Sequence, residues 1–126
     1  MRGDRLSEII DRLRNARRIL VTSHVSPDGD AVGGVLALYH VVRGMNDAEV
    51  VCALADPVPH RYDWLPGADL IRLPRECLPP FDLAVIVDVA QLDRIGEVMT
   101  LLDDTTQVIV LDHHLEDEPA GNLAVV

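Results

Sequence analysis

Lysine is absent from this 126-residue chain, so all 11 of its basic side chains are arginines, and 21 acidic residues bring the formal net charge to −10. A surface of that sign repels polyanions, which argues against tight, sequence-independent binding of long duplex nucleic acid. Aromatic residues are scarce. Phe81, Trp64, Tyr39 and Tyr62 are all of them, so the core has to be aliphatic. The two cysteines, Cys52 and Cys77, form no Cys-x-x-Cys pattern, which excludes a zinc knuckle or a disulfide framework and leaves two small apolar side chains expected inside. No apolar run approaches the roughly 20 residues that span a bilayer, and the opening M-R-G-D-R-L-S-E-I-I lacks the apolar stretch of a signal peptide. A cytoplasmic location with no membrane partner is the expectation. Internal repeats and low-complexity tracts are also missing, and the length suits one domain over residues 1–126.

What is present alternates between two periods. Leu6, Ile9, Ile10 and Leu13 recur at helical spacing, and the arginines around them read as the solvated face of an amphipathic helix. R-I-L-V-T-S is a short β-branched run that stops at His24, and S-P-D-G-D supplies turn residues before the mostly apolar helix A-V-G-G-V-L-A-L-Y-H-V-V-R-G-M, with Gly44 as its expected end. A-E-V-V-C-A-L reads as a second strand. The proline-punctuated D-P-V-P-H-R-Y-D-W-L-P-G-A-D follows as a connection with room for a short helix, then L-I-R-L as a small edge strand and L-P-P-F as a turn. D-L-A-V-I-V-D is a continuous apolar strand closed by Asp88. L-D-R-I-G-E-V-M-T-L-L suits a helix despite Gly96, and Q-V-I-V-L-D is a last buried strand closed by Asp112. This alternation predicts an α/β fold, a mainly parallel sheet with helices on both faces.

In such sheets ligands bind outside the carboxyl ends of the strands. Three strand ends here supply His24, Asp28 and Asp30, then Asp88, then Asp112, His113 and His114. Taken singly each has an ordinary explanation: an Asp-Gly-Asp turn caps a helix, and a His-His pair sits on a surface. Their coincidence at one edge points to a metal site. Carboxylates with imidazoles suit divalent ions such as Mn²⁺, and several convergent carboxylates suggest two ions, which together could clamp a phosphoryl group and activate a shared water. Gly33 and Gly34 would permit close approach of helix, sheet or substrate.

H-V-S-P-D-G-D-A-V-G-G, I-V-D-V-A-Q-L-D-R-I-G and L-D-H-H resemble the first three motifs of the DHH phosphoesterase superfamily, and D-P-V-P-H-R-Y-D-W-L-P-G-A-D resembles its branch of bifunctional oligoribonuclease/PAP phosphatases, the nanoRNases. The resemblance covers the chain from about Ile19 onward and implies a Rossmann-like layered DHH domain with two Mn²⁺ ions, Mg²⁺ or Co²⁺ being alternatives. One ion would be held by His24, Asp28 and Asp88, the other by Asp30, Asp88 and His113, with Asp88 bridging. His114 would lie near the bridging water or substrate phosphate, and Asp112 would orient ligands. No separate organic cofactor is implied.

Members of the family continue past the triplet with another aspartate ligand in a T-D-T-G-like motif and a second domain, DHHA1, carrying a G-G-G-H-like substrate site. This chain stops at N-L-A-V-V, so it is expected to be the amino-terminal part of a longer protein, with a homodimer one assembly left open. The expected activity is two-metal, activated-water hydrolysis of short oligoribonucleotides or 3′-phosphoadenosine 5′-phosphate (PAP), weak or missing in the isolated chain. Alternatives are a pyrophosphatase, polyphosphatase or single-strand exonuclease of the same superfamily, or a non-catalytic metal- or nucleotide-sensing module. A signalling receiver domain is disfavoured because it needs a lysine near its last strand. A dinucleotide-binding domain is disfavoured because G-D-A-V-G-G lacks the G-x-G-x-x-G spacing.

Overall fold

A computed structural model describes residues 2–89, 91–111 and 123–125. Five strands form one parallel sheet in the order β2-β1-β3-β4-β5: β1 Arg18–Thr22, β2 Glu49–Cys52, β3 Leu83–Val87, β4 Gln107–Leu111 and β5 Leu123–Val125. The order turns round between β1 and β3. The chain moves outward from β1 to β2, then crosses back to lay β3 on the other side of β1. That reversal opens a crevice at the carboxyl ends of β1 and β3.

Both faces of the sheet are covered because its strands carry apolar residues on both sides. Ile19, Val21, Leu83, Val85, Val87 and Ile109 pack under α1 (Arg2–Asn15) and α2 (Gly29–Met45), which contribute Ile9, Leu13, Val32, Val35 and Val42. Leu20, Ala84, Ile86 and Val110 face the other way, onto Phe81, Ile95, Val98 and Leu101. Only Phe81 among the four aromatics is fully buried, and the core is otherwise aliphatic, as the composition required. Cys52 is buried, which pushes its thiol up to about 12; Cys77 is only half-buried.

The second face departs from the expected α-helix. Leu92–Leu101 forms 3₁₀ turns broken at Gly96, whose φ of 63° and ψ of −136° are not helical. The buried residues Ile95, Val98 and Leu101 recur every third position, which keeps them on one face of a three-residue-per-turn helix. The expected edge strand L-I-R-L is also cut short. Between the 3₁₀ turns Ala68–Leu70 and Pro74–Glu76 only a single bridge, Ala53 to Arg72, has room to form. The expected short helix before it appears as the turns at His60–Tyr62 and Ala68–Leu70. Helix α2 runs through Gly44 to Met45 and is capped at Asn46, whose amide donates to the carbonyls of Leu13 and Ala16, both at 2.8 Å. β5 was not foreseen at all.

The amino edge of the sheet is tied by charge. Asp82 accepts from the backbone N–H groups of Arg17 (2.9 Å) and Arg18 (2.8 Å). The Arg18 guanidinium lies 4.4 Å from the Phe81 ring centroid, pairs with Glu49, and donates to the carbonyls of Leu78 (2.7 Å) and Pro80 (2.6 Å). Arg12 pairs with Glu8 one turn earlier on α1. The arginines at 12, 17 and 18 therefore serve the helix and the amino edge, at the end of the sheet opposite the crevice.

Phe81→Ala removes the largest fully buried side chain and should lower stability by about 3–5 kcal/mol in urea denaturation. A midpoint unchanged from wild type would show that the second core does not depend on it.

Candidate metal centre

The crevice is built from backbone upward. β1 and β3 pair with Thr22 opposite Ile86, and β3 and β4 with Val87 opposite Leu111, so the three strands end at one level. The buried Ser23 hydroxyl, just beyond β1, donates to the Val87 carbonyl at 2.6 Å and ties the exits of β1 and β3 together. His24 follows Ser23, and Asp88 follows Val87. Asp88 adopts a left-handed backbone conformation (φ 60°) while its N–H continues the ladder to the Leu111 carbonyl at 2.9 Å.

Beyond His24 the chain turns sharply at Ser26, also left-handed (φ 50°), and enters α2 at Asp28. Asp28 is the helix cap, its Oδ1 accepting from Ala31 N–H at 2.9 Å. The turn brings its carboxylate back toward the histidine. His24 Nε2 lies 3.3 Å from Asp88 Oδ2 and 3.8 Å from Asp28 Oδ1, and one ligand atom from each of the three residues falls within 4.8 Å of the others.

The histidine ring is oriented by the backbone. His24 Nδ1 lies 2.7 Å from the Val25 carbonyl, which can only accept, so Nδ1 carries the proton. Nε2 is left facing the two carboxylate oxygens, where it pairs with them as an N–H donor or, with its lone pair free, shares a cation with them; a carbonyl behind Nδ1 is how a metal-binding histidine is oriented. Ligand atoms around a six-coordinate ion with bonds of about 2.1 Å sit about 3 to 4 Å apart, and both His24 distances fall in that range. One imidazole and two carboxylates fit a divalent ion. The start of α2 beside them adds partial positive charge, which favours the carboxylates and any approaching anion.

Of the residues singled out in the sequence, His24, Asp28 and Asp88 come together. Asp30 is exposed in the first turn of α2 and stands outside this three-residue group. Asp112, His113 and His114 lie outside the described residues. The cap reading of Asp28 and the ligand reading are both compatible with its position, since a carboxylate oxygen has two lone pairs. Of the two adjacent glycines, a Cβ on Gly34 would come 3.3 Å from Val87 Cγ2, so Gly34 allows α2 to settle on β3, whereas Gly33 faces open space.

Sequence reasoning missed the groups that fix the turn. Val25 N–H donates to the Arg94 carbonyl at 2.7 Å, and Ser26 N–H to Asp56 Oδ2 at 2.6 Å. A Cβ on Gly96 would fall 2.7 Å from Val25 Cγ1 and 3.1 Å from Ala55 Cβ, so this glycine is needed both for its positive φ and for its lack of a side chain. The break in the 92–101 segment is thus where it presses on the His24 turn.

Residues 18–126 match the model of the DHH family, N-terminal domain. The chain belongs to that family. Among curated proteins it is 34% identical over 108 residues to the bifunctional oligoribonuclease and PAP phosphatase NrnA of Thermus thermophilus, covering 86% of this chain and 31% of that protein. It is 29% identical over 119 residues to the protein of the same name from Mycoplasma pneumoniae, covering 90% and 35%. The crystal structure of an exopolyphosphatase-related protein from Bacteroides fragilis superposes with a TM-score of 0.86 at 27% identity, over 98% of this chain and 38% of that one. The chain thus spans about a third of the length of these relatives, a share that the 31% to 38% coverage sets. The parallel α/β architecture is that of the family domain, and among the described residues no helix is long and apolar enough to cross a membrane.

Gly96→Ala should cost about 1–3 kcal/mol in urea denaturation, from the forced positive φ and the overlap with Val25. A variant as stable as wild type would mean that the turn has slack the structure does not show.

Proposed function

We propose that this chain is the metal-binding part of a phosphoesterase that hydrolyses short oligoribonucleotides and PAP in a Mn²⁺-dependent reaction. The observation that carries the reading is the convergence of His24 Nε2 with the carboxylates of Asp28 and Asp88 at the sheet reversal, with Nδ1 held by the Val25 carbonyl. The substrate class comes from the names of the Thermus and Mycoplasma relatives.

The division of labour we propose starts with His24, Asp28 and Asp88 holding one divalent ion. Asp30, Asp88 and His113 would hold a second, with Asp88 shared between them. What these residues would gain from bound divalent ions is polarisation of a phosphoryl oxygen and a lowered pKa for water. The protein's own groups do the rest. The two carboxylates nearest His24 neutralise the ion, and the Val25 carbonyl keeps the proton on Nδ1 so that Nε2 stays a donor. The first turn of α2 favours the phosphate's negative charge. By resemblance to the family, His114 would act near the substrate phosphate and Asp112 would orient ligands.

Because about two-thirds of each relative lies beyond the matched region, as the 31% and 35% coverage implies, the groups that select the substrate are assigned to that remainder. The 126-residue chain alone should turn over weakly or not at all. A second reading, polyphosphate hydrolysis, is favoured by the similarity to the exopolyphosphatase-related Bacteroides protein.

In the full-length protein carrying this domain, Asp88→Ala should abolish Mn²⁺-dependent hydrolysis of a dinucleotide and of PAP while circular dichroism stays native. Near-normal turnover in the folded variant would reject the shared-ligand role. Parallel assays with PAP, a dinucleotide and polyphosphate separate the two enzymatic readings. Ligand binding with no turnover of any of them would leave a sensing module instead.

A further inference from the structure

The three clustered groups come from only two places in the chain, and the shorter separation is the harder to arrange. His24 and Asp28 are four residues apart without lying in a helix, and their side chains approach to 3.8 Å because the backbone reverses at Ser26, midway between them. Ser26 is not glycine, and a left-handed φ is strained for a residue with a side chain. Something has to hold it there. Its N–H donates at 2.6 Å to Oδ2 of Asp56, thirty residues on in the loop after β2. That acceptor satisfies the N–H in the strained conformation and so offsets its cost.

We propose that Asp56 is a positioning residue for the metal centre: by accepting from Ser26 N–H it holds the left-handed turn that brings Asp28 to His24. Asp56 stands outside the group of His24, Asp28 and Asp88 that could hold an ion. Its part is that of a hydrogen-bond acceptor for backbone, and an uncharged acceptor of the same shape serves equally well. The loop after β2 is thereby coupled to the crevice between β1 and β3, which β2 itself does not border. The consequence for metal affinity rests on the metal-binding reading above; the consequence for the turn does not.

The test uses Asp56→Ala, Asp56→Asn and the double variant Ser26→Gly/Asp56→Ala in the 126-residue chain. Hydrogen exchange of the Ser26 amide is followed without metal, and Mn²⁺ affinity by calorimetry. Asp56→Ala should lose Ser26 protection and bind Mn²⁺ about tenfold more weakly, the scale on which groups behind metal ligands act. Asp56→Asn should keep both. The double variant should recover most of the affinity, because glycine adopts the left-handed turn without assistance. Asp56→Asn as weak as Asp56→Ala would overturn the proposal by showing that the charge, and not the acceptor, matters. So would an Asp56→Ala variant with unchanged protection and affinity, or a double variant no better than Asp56→Ala. If the wild-type chain binds no Mn²⁺, the metal reading falls, and the exchange data alone decide whether Asp56 holds the turn.

Discussion

β1 and β3 pair in parallel with Thr22 opposite Ile86, and the geometry of the crevice follows from that register. Neighbouring strands lie about 4.8 Å apart, so residues just past two adjacent strand ends can share a small cation. A slip of one residue would turn His24 or Asp88 to the wrong face. The register is held from both ends. Asp82 takes the N–H groups of Arg17 and Arg18 at the amino edge, and the Ser23 hydroxyl takes the Val87 carbonyl at the carboxyl edge. Between them the strands are buried on both faces, so a shift would also put apolar residues against the wrong core.

That framework explains how an acidic chain can gather more acid at one point. Carboxylates taken out of water are costly unless a cation or hydrogen bonds compensate them. Here Asp28 stays largely solvated and caps α2 through the Ala31 N–H, so the enclosed carboxylate is Asp88, with His24 Nε2 at 3.3 Å. Arg12, Arg17 and Arg18 lie at the other end of the sheet. The strand order is shared by doubly wound folds of unrelated function, so the fold by itself does not choose an activity. What narrows it is the match to the DHH family, N-terminal domain.

Much of this was legible in the sequence. Strand-length apolar runs ending in acid or histidine fixed β1, β3 and β4, and with them the edge where His24, Asp28 and Asp88 meet. Illegible were features that depend on contacts between distant segments. The 92–101 segment has helical composition, but its buried residues fall three apart and Gly96 must yield to Val25, so it winds as 3₁₀ turns. L-I-R-L has the composition of a strand, yet the turns on either side leave it one bridge. Asp56 looked like part of a proline-rich connection, because nothing local marks an aspartate that accepts from a backbone N–H thirty residues earlier. β5 is three residues long and carries no periodicity to read.

The most direct test of the shared cation site is a titration of the isotopically labelled chain with Mn²⁺, followed by paramagnetic broadening of backbone amides. The account predicts that signals from 23–29 and from 87–89 vanish first and together, at metal levels well below one equivalent. Broadening spread evenly over exposed acids such as Asp103, Asp104 and Glu97, with the crevice no more affected than they are, would contradict it.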